Sequence, residues 1–312
     1  MLAQVLQFFS MDTVIQVEHL RKRYRKFEAV KDVSFEVSDG EIFGLLGPNG
    51  AGKTTTVECL QGLRSYDNGK ARVLGLDPNT EAGLLRRSIG SQLQESALPD
   101  RIKVWESLDL FASLSRVRPN LTELLDQWGL TEKRNASFAS LSGGQRQRLF
   151  VALALVNQPR LVFLDEMTTG LDPAARHVAW DLVRAIRAQG TTVVLVTHFM
   201  DEATALCDRL AILNAGKIVA EGTPQSLIAS YDGKLKVVFS SDEPDLSFLN
   251  DLDCVSRVER TGSKVIVYGK RPLLALVASR LVARGIVPHD LWLEEPSLED
   301  VFLKITGKHA SE

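Results

Sequence analysis

Cysteine is scarce in this chain. Cys59, Cys207 and Cys254 are all there is in 312 residues. They lie too far apart for metal-ligand spacing or a paired disulfide framework, which fits a reducing compartment. Long apolar runs are missing as well. No stretch approaches the ~20 residues needed to span a bilayer, so the chain is not expected to cross a membrane itself. The opening segment MLAQVLQFFS is apolar, but no Lys or Arg precedes it, which makes it a poor signal peptide. It reads as a loose tail over residues 1–13, or as a start placed upstream of Met11. A strong charge of one sign is also absent: 37 Lys and Arg face 39 Asp and Glu, for a net charge of −2. That balance argues against a nucleic-acid binder relying on a large basic surface. No internal repeat or low-complexity segment is present.

What the chain does have is an ordinary globular composition, 45% hydrophobic and 24% charged. Its length allows a sizeable core and two domains, one large and one small. From Val14 to Val37 the pattern alternates as strands do, in VIQVEHL and AVKDVSFEV, with a turn at SDGE. IFGLL (42–46), LVFLDE (161–166) and TTVVLVTH (191–198) are short apolar runs suited to strands buried on both faces. Residues 84–160 are mostly helical in period. AARHVAWDLVRAIRAQG predicts a helix stopped by Gly190, and RLAILNAGKIVAEG a hairpin turning at Asn214–Gly216. Alternating strands and helices imply an α/β fold with a mainly parallel sheet.

The pattern changes after about residue 230. KLKVVFS is a strand, PDLSFLNDL a short helix, and CVSRVERTGSKVIVYG a hairpin. PLLALVASRLVARG is a helix and IVPHDLWLEE another strand. That order, β-α-β-β-α-β, points to a ferredoxin-like split unit in a small α+β domain over 231–312. SLEDVFLKITG closes it as a helix capped by Ser297, with Asp300 three residues on.

The chemistry-bearing motif is GPNGAGKTT at 47–55. It satisfies every defined position of the phosphate-loop pattern, between an apolar strand and a helix start. Gly47, Gly50 and Gly52 permit a backbone that wraps an anion, with Pro48, Asn49 and Ala51 between them. Lys53 supplies a positive charge for β- and γ-phosphate oxygens. Thr54 offers a hydroxyl to Mg²⁺, and Thr55 continues the helix whose positive dipole end faces the ligand. A parallel strand delivers its C-terminal end to the ligand crevice, so Asp165 there is suited to Mg²⁺ and Glu166 to act as general base on water. His198 ends the neighbouring apolar run at the same edge, where it can meet the γ-phosphate or orient the water. A second glycine motif, LSGGQRQR at 141–148, has no lysine.

GPNGAGKTT, LSGGQRQR, LVFLDE and VTH in this order resemble the ATP-binding subunits of ABC transporters, over about Val14 to Ser226. LSGGQ is the specific element. The resemblance implies a phosphate-loop core over 14–230, with an antiparallel β part and a helical subdomain at about 95–158. It also implies further roles. Tyr24 matches the aromatic that stacks on adenine. Gln94, preferred over Gln92, matches the glutamine that touches Mg²⁺ or water and senses the transporter. Ser142, Gly143, Gly144 and Gln145 match the signature that closes over the ATP of a second copy, and Asp172 the loop that crosses between copies. Arg146 and Arg148 read as helix-surface or structural charges. Met167 stands where the family carries proline, which would loosen that turn.

With ATP and Mg²⁺ as cofactors, the resemblance implies a homodimer in the ATP-bound state. It also implies separate integral membrane permease subunits, no nucleic acid, and a cytoplasmic chain peripheral to the inner face of the cell membrane. The tail EEPSLEDVFLKITG and the segment QLQESALPDRIKVWESL resemble ABC-2-type exporters of the daunorubicin-resistance kind, which export drugs, lipids or other amphipathic compounds. That segment is expected to form the groove for the membrane subunit. A non-transport ABC ATPase and an importer ATPase stay open as alternatives. The former would be expected to carry two cassettes or long coiled-coil insertions.

Overall fold

A computed structural model describes residues 13–92, 97–114, 119–230, 235–288 and 290–307. The chain divides into two compact units: Met1–Pro224 with Ile305–Glu312, and Gln225–Lys304. In the larger unit, β1 (Thr13–Tyr24) and β2 (Phe27–Ser38) form a long hairpin that leads into β3 (Ile42–Leu46) and α1 (Lys53–Leu60). β4 (Asn68–Val73), α2 (Ala82–Leu85) and β5 (Ile89–Gln92) follow. The helical part holds α3 (Val104–Leu114), α4 (Leu121–Gln127) and α5 (Gly143–Leu155). The chain then returns through β6 (Leu161–Asp165), α6 (Pro173–Ala188), β7 (Thr192–Thr197), α7 (Met200–Leu206), β8 (Arg209–Asn214) and β9 (Lys217–Gly222).

Nine strands among the described residues form one sheet in the order β4-β1-β2-β9-β8-β3-β7-β6-β5. Its centre is parallel: β3 pairs with β7 and β8, β6 with β7, and β5 with β6. Every residue of β3, β6 and β7 is buried, as their unbroken apolar runs require. The outer part, β4-β1-β2, is antiparallel. A core of Val17, Val33, Phe43, Leu45, Val57, Leu60, Phe163 and Val194 ties the two parts together. Gly190, at φ 87, stops α6 as its sequence position predicts. The β8–β9 turn is made by Ala215 and Gly216, both at positive φ, which matches the twist of the flanking strands.

The smaller unit takes in most of α8 (Pro224–Ser230), then β10 (Leu235–Ser240), β11 (Val255–Thr261), β12 (Lys264–Gly269), α9 (Leu273–Ala283), β13 (Trp292–Glu294) and most of α10 (Leu298–Thr306). Its sheet is antiparallel throughout, in the order β11-β12-β10-β13. β10 and β11 therefore run the same way with β12 between them, which is a split arrangement. Val237, Phe239, Val265 and Val267 pack with Leu273, Val277 and Leu281 of α9.

Two elements of this unit depart from expectation. PDLSFLNDL is a single 3-10 turn at Ser247–Leu249 and no longer helix. The Asp245 carboxylate accepts a hydrogen bond from the Ser247 amide at 2.9 Å, a local turn that competes with helix, and Leu246, Phe248, Leu249 and Leu252 are all buried within seven residues. IVPHDLWLEE shortens to three strand residues. Pro288 lacks an amide proton, and the Asp290 carboxylate turns to the Ser240 amide at 2.8 Å. Among the described residues no helix is long and apolar enough to cross a membrane.

Candidate functional site

The parallel strands bring the motif residues to one edge of the sheet. Leu46 pairs with Thr197, and Val196 with Asp165, so Gly47, Glu166 and His198 leave β3, β6 and β7 at nearly the same level. Gly47 starts a loop for which no other residue type has room. A Cβ there would lie 2.3 Å from the Leu213 carbonyl oxygen, and one at Gly52 2.5 Å from that of Ala29. Gly50 and Gly52 sit at φ 77 and 103, in the left-handed region that glycine enters at no steric cost. The Ala51 amide donates to the Pro48 carbonyl at 3.1 Å, while Asn49 and Gly50 are exposed. The loop is backed by the β8–β9 hairpin, since the Gly216 amide donates to Ala51 O at 2.9 Å. Nothing in the sequence marks that hairpin as part of a site.

Lys53 opens α1, buried, and its ammonium donates to Gly47 O at 2.8 Å and Pro48 O at 3.3 Å. Burial pushes the ammonium below its ordinary pKa, and the Glu166 and Asp165 carboxylates pull it back up. Asp165 is 3% exposed, and among the described residues its Oδ1 has no hydrogen-bond partner. Burial, reinforced by the Glu166 charge, pushes its carboxyl up to about 6; Lys53 and a hydrogen bond from Thr54 oppose the rise. Thr55 follows Thr54, both half-buried.

These residues fit a polyphosphate and a divalent cation. The loop is a cradle that a Cβ would fill. Beside it stands a buried, orphaned carboxylate oxygen next to a threonine hydroxyl, a donor set of hard oxygens suited to Mg²⁺.

Glu166 takes φ 49, a strained angle for a side chain of its size. Its amide donates to Val196 O at 2.9 Å and its carbonyl accepts from the Thr169 amide at 3.1 Å, which holds the turn. Its Oε1 lies 3.3 Å from His198 Nδ1. Met167, which follows the two acids, is buried, 1% exposed.

Other expected residues sit apart from this edge or facing their own chain. The half-buried Tyr24 ring has Lys22 Nζ at 5.6 Å and the Arg64 guanidinium at 5.7 Å from its centroid. Ser142 caps α5 in a reciprocal box: its Oγ accepts from the Gln145 amide at 3.3 Å, and Gln145 Oε1 accepts from the Ser142 amide at 3.0 Å. Gly143 and Gly144 form the first turn of that helix. Arg146 donates to Ala139 O at 2.8 Å and covers Phe138, while Arg148 donates to Gly129 O at 3.4 Å. Asp172 caps α6, its carboxylate accepting from the Ala175 amide at 2.8 Å. Gln94 lies outside the described residues. Gln92 is buried at the end of β5, and among the described residues its Oε1 has no hydrogen-bond partner.

A protein-family model described as ABC transporter matches residues 30–169. Nod factor export ATP-binding protein I of Rhizobium sp. (strain N33) is 39% identical over 300 residues, covering 94% of this chain and 97% of that protein. A solved ATP-binding subunit of an ABC transporter superposes with a TM-score of 0.64 at 28% identity, over 70% of this chain and 93% of that one. A dimeric ATP-binding cassette in a post-hydrolysis state, bound to ADP and Pi, superposes with a TM-score of 0.61 at 26% identity, over 67% and 98%. With its phosphate loop, signature helix and buried acid pair in the order this family carries, the chain belongs to the ATP-hydrolysing ATP-binding subunits of ABC transporters.

Proposed function

We propose that this subunit drives export of an amphipathic compound through separate integral membrane subunits, working as a homodimer on the cytoplasmic face of the cell membrane. The observation that carries the chemistry is the convergence of Lys53, Thr54, Asp165, Glu166 and His198 at one sheet edge. Lys53 leaves the carbonyls of Gly47 and Pro48 for phosphate oxygens. Gly50, Ala51, Gly52, Thr54 and Thr55 line the phosphates with amides at the start of α1. Thr54 and Asp165, with Gln94, hold Mg²⁺, which when bound supplies charge stabilisation to the phosphates. Glu166 takes the proton of the attacking water. His198, with Nδ1 toward Glu166, keeps Nε2 for the phosphate or the water. Positioning and electrostatics dominate such phosphoryl transfer. Tyr24 stacks on adenine.

Ser142, Gly143, Gly144, Gln145 and Asp172 serve the ATP of the second copy, so two ATP are enclosed between two chains. A binding surface that forms only with the γ-phosphate present converts hydrolysis into opening and closing. Support for a membrane partner comes from a groove of about 540 Å³ lined by Leu63, Arg86, Arg87, Phe111, Leu114 and Leu153. Leu114 there is 73% exposed. Among the described residues this lining flanks, rather than includes, the segment expected to form the groove. Support for export comes from the relatives, whose names describe Nod factor export.

The test is Glu166→Gln. ATP binding is expected to persist, turnover to fall by about 10²-fold or more, and ATP to trap a dimer visible by light scattering. Hydrolysis at the normal rate would remove Glu166 as general base.

A further inference from the structure

The first turn of α6 carries an arginine that the proposed chemistry does not use. The guanidinium of Arg176 lies over the Phe199 ring, 4.2 Å from its centroid, and its Nη1 pairs with Asp201 Oδ2 at 3.2 Å. The Phe199 ring in turn packs on the His198 imidazole, with centroids 4.1 Å apart. His198 Nδ1 meets Glu166 Oε1 at 3.3 Å. Arg176, Phe199, His198 and Glu166 thus form one continuous line of contacts.

Among the described residues the His198 ring, its side chain 19% exposed, has one hydrogen-bond contact, to Glu166, and one aromatic neighbour, Phe199. An imidazole with one hydrogen-bond contact can swing about its χ2 unless a neighbour limits it. Phe199 is that neighbour, and Arg176 holds Phe199. The Arg176 side chain is 23% exposed, so its cation over the ring is only partly screened by water.

The same turn of α6 is capped by Asp172, whose carbonyl accepts from the Arg176 amide at 2.9 Å. It also abuts the signature helix, since a Cβ at Gly144 would lie 4.0 Å from Ala175 Cβ. Asp172 and Gly144 are the residues proposed above to meet the second copy.

We infer that Arg176 is a positioning residue for hydrolysis: through Phe199 it holds His198 against Glu166. The inference rests on the proposed roles of Glu166 and His198. Arg176 and Phe199 are not residues of the phosphate loop, so their loss is expected to read in turnover and not in ATP affinity.

Steady-state hydrolysis by the full chain tests this. Arg176→Ala and Arg176→Gln are expected to lower kcat about tenfold, as small misplacements near a reacting centre do. KM for ATP stays within about twofold, the pattern of an interaction used after binding. Arg176→Lys, which keeps a cation over the ring, restores at least about half the rate. Phe199→Leu loses a similar factor, and the double variant Arg176→Ala/Phe199→Leu is no slower than the slower single one, because both remove one contact.

Additive losses in the double variant would overturn the inference, as would a rise in KM or a Lys variant as slow as the Gln variant. If Arg176→Ala does not fold, the Gln and Lys pair decides alone. A Glu166→Gln variant that still turns over would sink the general-base reading by a separate route, while the coupling between Arg176 and Phe199 would still be measured.

Discussion

Glu202 is a carboxylate with no exposed surface at all. Burial pushes its pKa above the ordinary 4.5, and hydrogen bonding from Thr197, Thr168 and Trp180 opposes the rise without cancelling it. A raised carboxyl pKa means that the ionised form is disfavoured in the folded chain. The penalty is present at neutral pH and vanishes as pH falls through the folded value toward the unfolded one. Glu202→Gln is therefore expected to raise Tm at pH 7.5, by about 2–4 °C for each kcal/mol recovered, with the gain shrinking toward pH 4.5. Differential scanning fluorimetry across pH checks this, and a gain that grows in acid would contradict the sign. Glu166 and His198 were legible in the sequence because each follows an apolar strand at the ligand-facing edge. Glu202 and Arg176 were not. A charge on an amphipathic helix reads as a solvent face, and only packing tells which charge is turned inward.

At the scale of elements, α5 and α6 begin on residues the resemblance assigns to a partner's ATP. Asp172 is the N-cap of α6, and Pro173 its first residue, where a missing amide proton costs nothing. Reading the helix from Ala174 missed this because the apolar period starts later than the backbone does. Asp172→Ala is expected to destabilise the chain by about 0.5–2 kcal/mol in urea unfolding, and Asp172→Asn to restore most of that loss. In the Glu166→Gln background, an ATP-trapped dimer that survives Asp172→Ala intact would remove the role of Asp172 across the interface. The short PDLSFLNDL turn teaches the same lesson from the other side. Helical period was present, but nine residues with a competing aspartate turn could not pay the entropy of nucleation.

For the molecule as a whole, the site is proposed to be complete only when two copies meet. In the single chain Ser142 and Gln145 satisfy each other, so the signature helix is capped from within its own chain. Ser142→Arg is expected to leave ATP binding to its own chain within about twofold while abolishing the ATP-trapped dimer of the Glu166→Gln chain. Ser142→Ala loses the cap, about 1 kcal/mol, and the hydroxyl proposed to meet the second copy's ATP, without the bulk of the arginine, and so separates the steric block from those losses. Equal dimerisation of the Arg variant by light scattering would refute the shared site.

Sequence alone determined the phosphate loop, the acid pair, the parallel strands and the family, because these depend on local periodicity and on residue types that few other geometries tolerate. It also gave Gly47 and Gly52 a reason, a backbone that wraps an anion, but not the neighbours that close against them. Only the tertiary structure decided that Leu213 and Ala29 close against those glycines, that Asp165 keeps an orphaned oxygen, and that Arg176 reaches His198 through Phe199. Those facts depend on which distant segments pack together, and packing is not a property of any short stretch of chain.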